Sequence, residues 1–111
     1  MTYPKNSINF CNLPNLNIDD VLYNAEKLAE WSTNFPASDS SNETEVLYRK
    51  KNGQLFLHGY GEPFSEYGVH TMQGWTYGED IKLLTVDEAK RWAKNKFTVD
   101  EYEKVFDKIS K

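Results

Sequence analysis

The chain has 111 residues, enough for one hydrophobic core, with 39% hydrophobic and 27% charged residues and a formal net charge of -4. That acidity argues against a nucleic-acid binder, which needs a basic stripe to neutralise phosphates, and nowhere do eighteen consecutive apolar residues form a membrane span. A single cysteine, Cys11, excludes an intramolecular disulfide and a four-thiolate zinc site, and suits a cytoplasmic setting.

Residues 1–17 are rich in Asn and Pro and read as an irregular arm. From Ile18 the apolar residues Ile18, Val21, Leu22, Ala25, Leu28 and Ala29 follow helical spacing, with Asn17 as N-cap and Asp19 and Asp20 in the first turn, so the pattern predicts a helix over 18–31. Residues 32–44 (STNFPASDSSNET) have the composition of a polar loop.

Residues 45–84 form the predicted sheet region. Glu45 to Lys50 and Leu55 to His58 flank Asn52-Gly53, the signature of a hairpin closed by a type I′ turn. Leu55, Phe56 and Leu57 are continuously apolar, which predicts a central second strand. Short strands are expected around Val69 to Met72 and Ile81 to Leu84. Arg49-Lys50-Lys51 is a small basic spot that serves to solvate the hairpin tip. Residues 85–111 carry two helices. Thr85-Val86-Asp87-Glu88 and Thr98-Val99-Asp100-Glu101 are both capping boxes, which set helices from about Val86 to Lys96 and Val99 to Ile109. The expected fold is one α+β domain: an N-terminal helix, an antiparallel sheet of three or four strands around a β-hairpin, and two C-terminal helices on one face.

All six glycines, both histidines and six of the sixteen aromatics fall between Gly53 and Gly78. His58, Glu62, Glu66 and His70 recur every four residues, a spacing that would align metal ligands on a helix. Gly59, Gly61, Pro63 and Gly68 break any such helix, so the spacing has no periodic meaning and no metal, cofactor or catalytic residue is assigned. A small metal-dependent enzyme using His58 and His70 stands as an alternative. Gly59-Tyr60-Gly61 lacks the third glycine and following helix of a dinucleotide fingerprint. The aromatics of this segment form either a lid over the core between the sheet and the C-terminal helices or an exposed surface, and the two readings can hold together for different rings. Tyr60, Phe64, Tyr67, Trp75 and Tyr77, rimmed by Glu62, Glu66, Glu79 and Asp80, read as a partner-binding patch that would dock on a basic surface, because Tyr and Trp bring large contact area at low entropy cost.

The stretch from Leu47 to Tyr67 (LYRKKNGQLFLHGYGEPFSEY), with Trp75, Gly78, Glu79, Ile81 and the Thr85 to Ala93 helix (TVDEAKRWA), resembles a small-protein module of Gram-positive phages, plasmids and conjugative elements. The similarity covers about residues 45 to 106. It brings no catalytic residues, and Val69 to Gly74 departs from it. The resemblance implies a non-catalytic inhibitor of a host defence system, in particular a type II-A anti-CRISPR protein that binds the type II CRISPR effector nuclease in the host bacterial cytoplasm and blocks nucleic-acid loading. An accessory interaction module of a mobile element without anti-defence role is the other reading. Oligomeric state is left open.

Overall fold

A computed structural model of the protein describes residues 22–110; the arm over 1–17 and the start of the expected N-terminal helix lie outside them. Leu22 and Tyr23 are helical, and the Ala25 N–H closes a turn on the Leu22 carbonyl at 3.1 Å. The chain then becomes extended as β1 (Glu26–Ser32), which corrects the expectation of a helix running to Trp31. The misleading spacing has a physical origin. Pairing of β1 with β2 (Glu43–Arg49) shifts register between Lys27 and Ala29, a bulge that lets both Leu28 and Ala29 join the core. Adjacent inward residues mimic the i, i+3, i+4 signature that Ala25, Leu28 and Ala29 display.

β2 and β3 (Leu55–Gly61) make the expected hairpin, but its turn differs from the expected type I′. Gly53 alone at the tip has positive φ, at 91°, while Asn52 does not. The Gly53 N–H reaches the Lys50 carbonyl and the Lys50 N–H reaches the Gln54 carbonyl, both at 2.9 Å, so three residues form the loop instead of two. Such a loop needs left-handed backbone only at its last residue, and glycine supplies it without steric cost. Arg49, counted with the basic tip, turns back: it donates to the Lys108 carbonyl and pairs with Glu26, each at 2.9 Å.

β3 continues into an excursion that carries β4 (Val69–Thr71) and β5 (Gly74–Thr76), a separate two-stranded ribbon, before β6 (Gly78–Leu84) returns to the main sheet. The main sheet is antiparallel with order β1-β2-β3-β6, so the apolar strand β3 is internal as its composition predicts. The two edge strands are β1, bulged, and β6, where Lys82 turns inward to pair with Asp80; both devices disfavour edge-to-edge association.

Two helices, α1 (Val86–Lys96) and α2 (Val99–Ile109), close the chain with the expected bounds. Both capping boxes form: Thr85 Oγ1 accepts from Glu88 N at 3.1 Å while Glu88 accepts from Thr85 N at 2.8 Å, and Thr98 with Glu101 repeats the exchange. Each cap contributes about 1 kcal/mol and stops one helix from merging with the other. Ala89, Ala93, Val105 and Ile109 pack on Leu28, Leu47, Leu55, Leu57 and Leu84, so the core lies between the helices and one face of the sheet. On the opposite face, Val46, Phe56 and Ile81 are buried too, and Tyr48 stacks on Phe56 with ring centroids 5.2 Å apart.

Candidate protein-binding surface

Gly61 and Gly78 are the last paired residues of β3 and β6, so residues 62–77 leave and rejoin the sheet at one point. Local bonds shape the departure. The Ser65 N–H and hydroxyl both reach the Glu62 carbonyl, at 3.0 and 2.8 Å, and Glu66 N–H reaches Glu43 Oε1 at 3.0 Å. The chain then sends Tyr67 back beneath the sheet's helix side. Its ring lies flush on Gly59, where an added Cβ would sit 2.0 Å from Tyr67 Cζ, so only glycine admits the ring.

Tyr67 ends at Glu45, a buried carboxylate on β2 that also accepts Trp92 Nε1–H at 3.0 Å and faces Lys96 Nζ at 3.2 Å. Lys96 Nζ lies 3.9 Å over the ring of Trp31. A buried carboxylate survives only when charge and hydrogen bonds compensate its lost hydration, and here three donors do so. This node joins β1, β2, the excursion and α1. Tyr67 and Trp92 donate to Glu45 and Lys96 offers it a counter-charge, so the carboxylate ties these elements together. Neighbouring Glu43 has its carboxyl pushed above the usual range, chiefly by burial.

Above this support the excursion exposes what it does not need for packing. Phe64, Val69, Met72, Trp75 and Tyr77 are 66%, 48%, 101%, 53% and 50% exposed. Phe64 and His70 flank Trp75, at centroid separations of 6.4 and 5.0 Å, and Tyr77 sits 6.4 Å from Tyr60. The ribbon's tip is held locally: Thr71 Oγ1 donates to the Gly74 carbonyl at 2.8 Å and accepts Gln73 N–H at 3.2 Å. Partial burial pushes the Tyr77 hydroxyl above its usual range, and Glu79, Tyr60 and Glu62 push the same way.

The residues expected to form a patch thus divide. Phe64, Trp75, Tyr77, Glu62, Glu66 and Glu79 are exposed, and Tyr60 is half-buried beside Tyr77. Tyr67 is buried at 6% and is a strut, not a contact. Asp80 is partly buried, paired with Lys82, and accepts the Ile81 N–H at 2.9 Å. Val69 and Met72 are exposed as well, although sequence reasoning passed them over, and Val69, paired with Thr76, lies on the ribbon face opposite His70 and Trp75; their one signal was an apolar pair in a segment too rich in turns to bury it. His58 is bonded to Glu79 at 3.0 Å while His70 lies against Trp75, and among the described residues no three His, Cys, Asp or Glu side chains gather where they could hold a metal ion. Nor is any helix among them long and apolar enough to cross a membrane.

Fold and surface together define a small α+β protein that carries an exposed aromatic ribbon on a four-stranded antiparallel sheet backed by two helices. Comparison with family models, with curated proteins and with solved structures gives no match to this chain.

Proposed function

We propose that the protein is a non-catalytic binding protein that inhibits a host defence system by occlusion, with residues 62–77 as its contact surface. One observation carries the reading: Phe64, Val69, Met72, Trp75 and Tyr77 are all exposed on a single excursion held by a buried node, with Phe64 against Trp75 and Tyr77 beside Tyr60. Large apolar side chains grouped on a protruding element lose hydration cost only when a partner covers them. Fully burying each is worth roughly 1.5–3 kcal/mol.

The resemblance of residues 45 to 106 to mobile-element modules makes the type II CRISPR effector nuclease of the host cytoplasm the first partner to test, with blocked nucleic-acid loading as the mechanism. The effector nuclease, alone and loaded with guide RNA, is mixed with the full chain and assayed for co-elution and DNA cleavage, beside variants Met72→Ser and Trp75→Ser. Cleavage lost with the wild type and restored by either variant supports the proposal. Undiminished cleavage and no co-elution remove it. Co-elution with cleavage intact assigns the chain to the accessory-module reading instead.

A further inference from the structure

We infer that the partner surface recognised by this protein is an arginine-bearing basic segment, whose guanidinium stacks on the Tyr77 ring while Glu62 and Glu79 receive its N–H groups. The inference rests on residues 62–77 being a docking surface and gives the partner its chemistry.

Charge is the first argument. No Lys or Arg occurs between Lys51 and Lys82, while Glu62, Glu66, Glu79 and Asp80 all fall in that interval. Lys82, the cation nearest in sequence, is turned to Asp80 and is 9% exposed. The exposed rim is therefore acidic and lacks a neighbouring Lys or Arg in sequence. Phosphates would be repelled by such a rim, and a purely apolar partner would bury the exposed Glu62 and Glu66 carboxylates without offering them a donor.

Geometry narrows the cation. Tyr77, half exposed, is tilted 40° to Tyr60 with ring centroids 6.4 Å apart; Glu79 stands directly across the strand pair from Tyr60, and Glu62 follows Gly61, the partner of Gly78 next to Tyr77. Burial, chiefly, and then Glu79, Tyr60 and Glu62 push the Tyr77 hydroxyl above its usual range. His58 Nε2 fixes one of them, meeting Glu79 Oε2 at 3.0 Å. A guanidinium is planar, so it can lie on a ring and donate in its own plane to a carboxylate at once; an ammonium is a strongly hydrated point charge and gains less from the ring.

The full chain, isotope-labelled, is titrated by NMR with nona-arginine and separately with nona-lysine. Shifts centred on Tyr77, Tyr60, Glu62 and Glu79, with nona-arginine the tighter ligand by about fivefold or more, support the inference. Tyr77→Leu and Glu62→Gln change exposed side chains, and each is expected to weaken nona-arginine binding by about tenfold, in line with one to two kcal/mol for a partly desolvated cation–π or charged contact. Equal affinity for the two peptides, indifference to both variants, or shifts centred on Asp87, Asp100 and Asp107 of the helices overturns it. If the titration fails while Met72→Ser still releases the nuclease, this inference alone falls; if neither effect is seen, the docking reading falls with it.

Discussion

The Tyr67 hydroxyl donates to the carboxylate of Glu45, and this bond fastens the excursion to the sheet at a point that water does not reach. The two residues lie 22 apart in sequence and on different elements. Trp92 and Lys96, one helical turn apart on α1, complete the set of donors around the same group. The excursion is thus fastened by polar bonds on its buried side, while Met72 and much of Phe64, Val69, Trp75 and Tyr77 stay exposed.

Replacing Glu45 therefore unmakes more than one contact. Glu45→Ala leaves the Tyr67 hydroxyl, the Trp92 N–H and the Lys96 ammonium without their acceptor and is expected to cost about 3–5 kcal/mol. Glu45→Gln keeps one acceptor but sets an amide N–H against donors, with an expected cost of about 1–3 kcal/mol. Urea unfolding of the three proteins checks the order. A Glu45→Ala protein as stable as wild type would show that the node is dispensable.

Gly59 and Tyr67 offer a test of the same support from the other side. Gly59→Ala places a methyl inside the Tyr67 ring, so the ring must leave, and about 1–3 kcal/mol of overpacking is expected. Tyr67→Ala empties that space at about 3–5 kcal/mol, by analogy with other large aromatic deletions. Because the alanine methyl then has room, the double variant should be less destabilised than the two single effects added. Strict additivity in a double-mutant cycle would refute the contact.

How far these relationships could be read in advance differs by their range. The two capping boxes need only residues three apart, and both helices were legible to the residue. The central position of β3 was legible too, since Leu55, Phe56 and Leu57 leave no polar face. The identity of β1 was not: bulged Leu28 beside Ala29 has the apolar spacing of a helix, and only pairing with β2 makes it a strand. Glu45 was equally opaque. It alternates in phase with Leu47, which marks it as inward-facing, but its partners lie 22, 47 and 51 residues ahead. The patch was legible in outline because glycines and Pro63 forbid regular burial of so many rings, whereas which ring was the strut depended on the void above Gly59.

Substitution on the exposed ribbon should separate binding from folding. Met72→Ser and Trp75→Ser remove side chains that are 101% and 53% exposed, and thermal melts are expected within about 0.5 kcal/mol of wild type. Partner binding should fall at least about tenfold for Trp75→Ser, as for an interface anchor. A large drop in melting temperature for either variant would mean that the ribbon is part of the core.

Acid titration should expose two carboxyls of opposite sign. Glu101 accepts from the Thr98 N–H and hydroxyl, at 3.1 and 2.9 Å, and these bonds hold its pKa below the ordinary value of 4.5. A carboxyl whose pKa is depressed by folding adds stability above its unfolded pKa and loses it as pH falls through the folded one. Glu43 runs the other way. Burial raises its pKa above 4.5, so the folded state holds its proton more tightly and loses that advantage as pH rises through the raised value. The stability gap between wild type and Glu101→Gln should accordingly be widest above pH 4.5 and close on acidification, whereas Glu43→Gln should gain on wild type as pH rises from acid to neutral. Carboxyl carbon NMR titration reads both pKa values directly, and a Glu101 that titrates above Glu43 would contradict the capping geometry and the burial of Glu43 together.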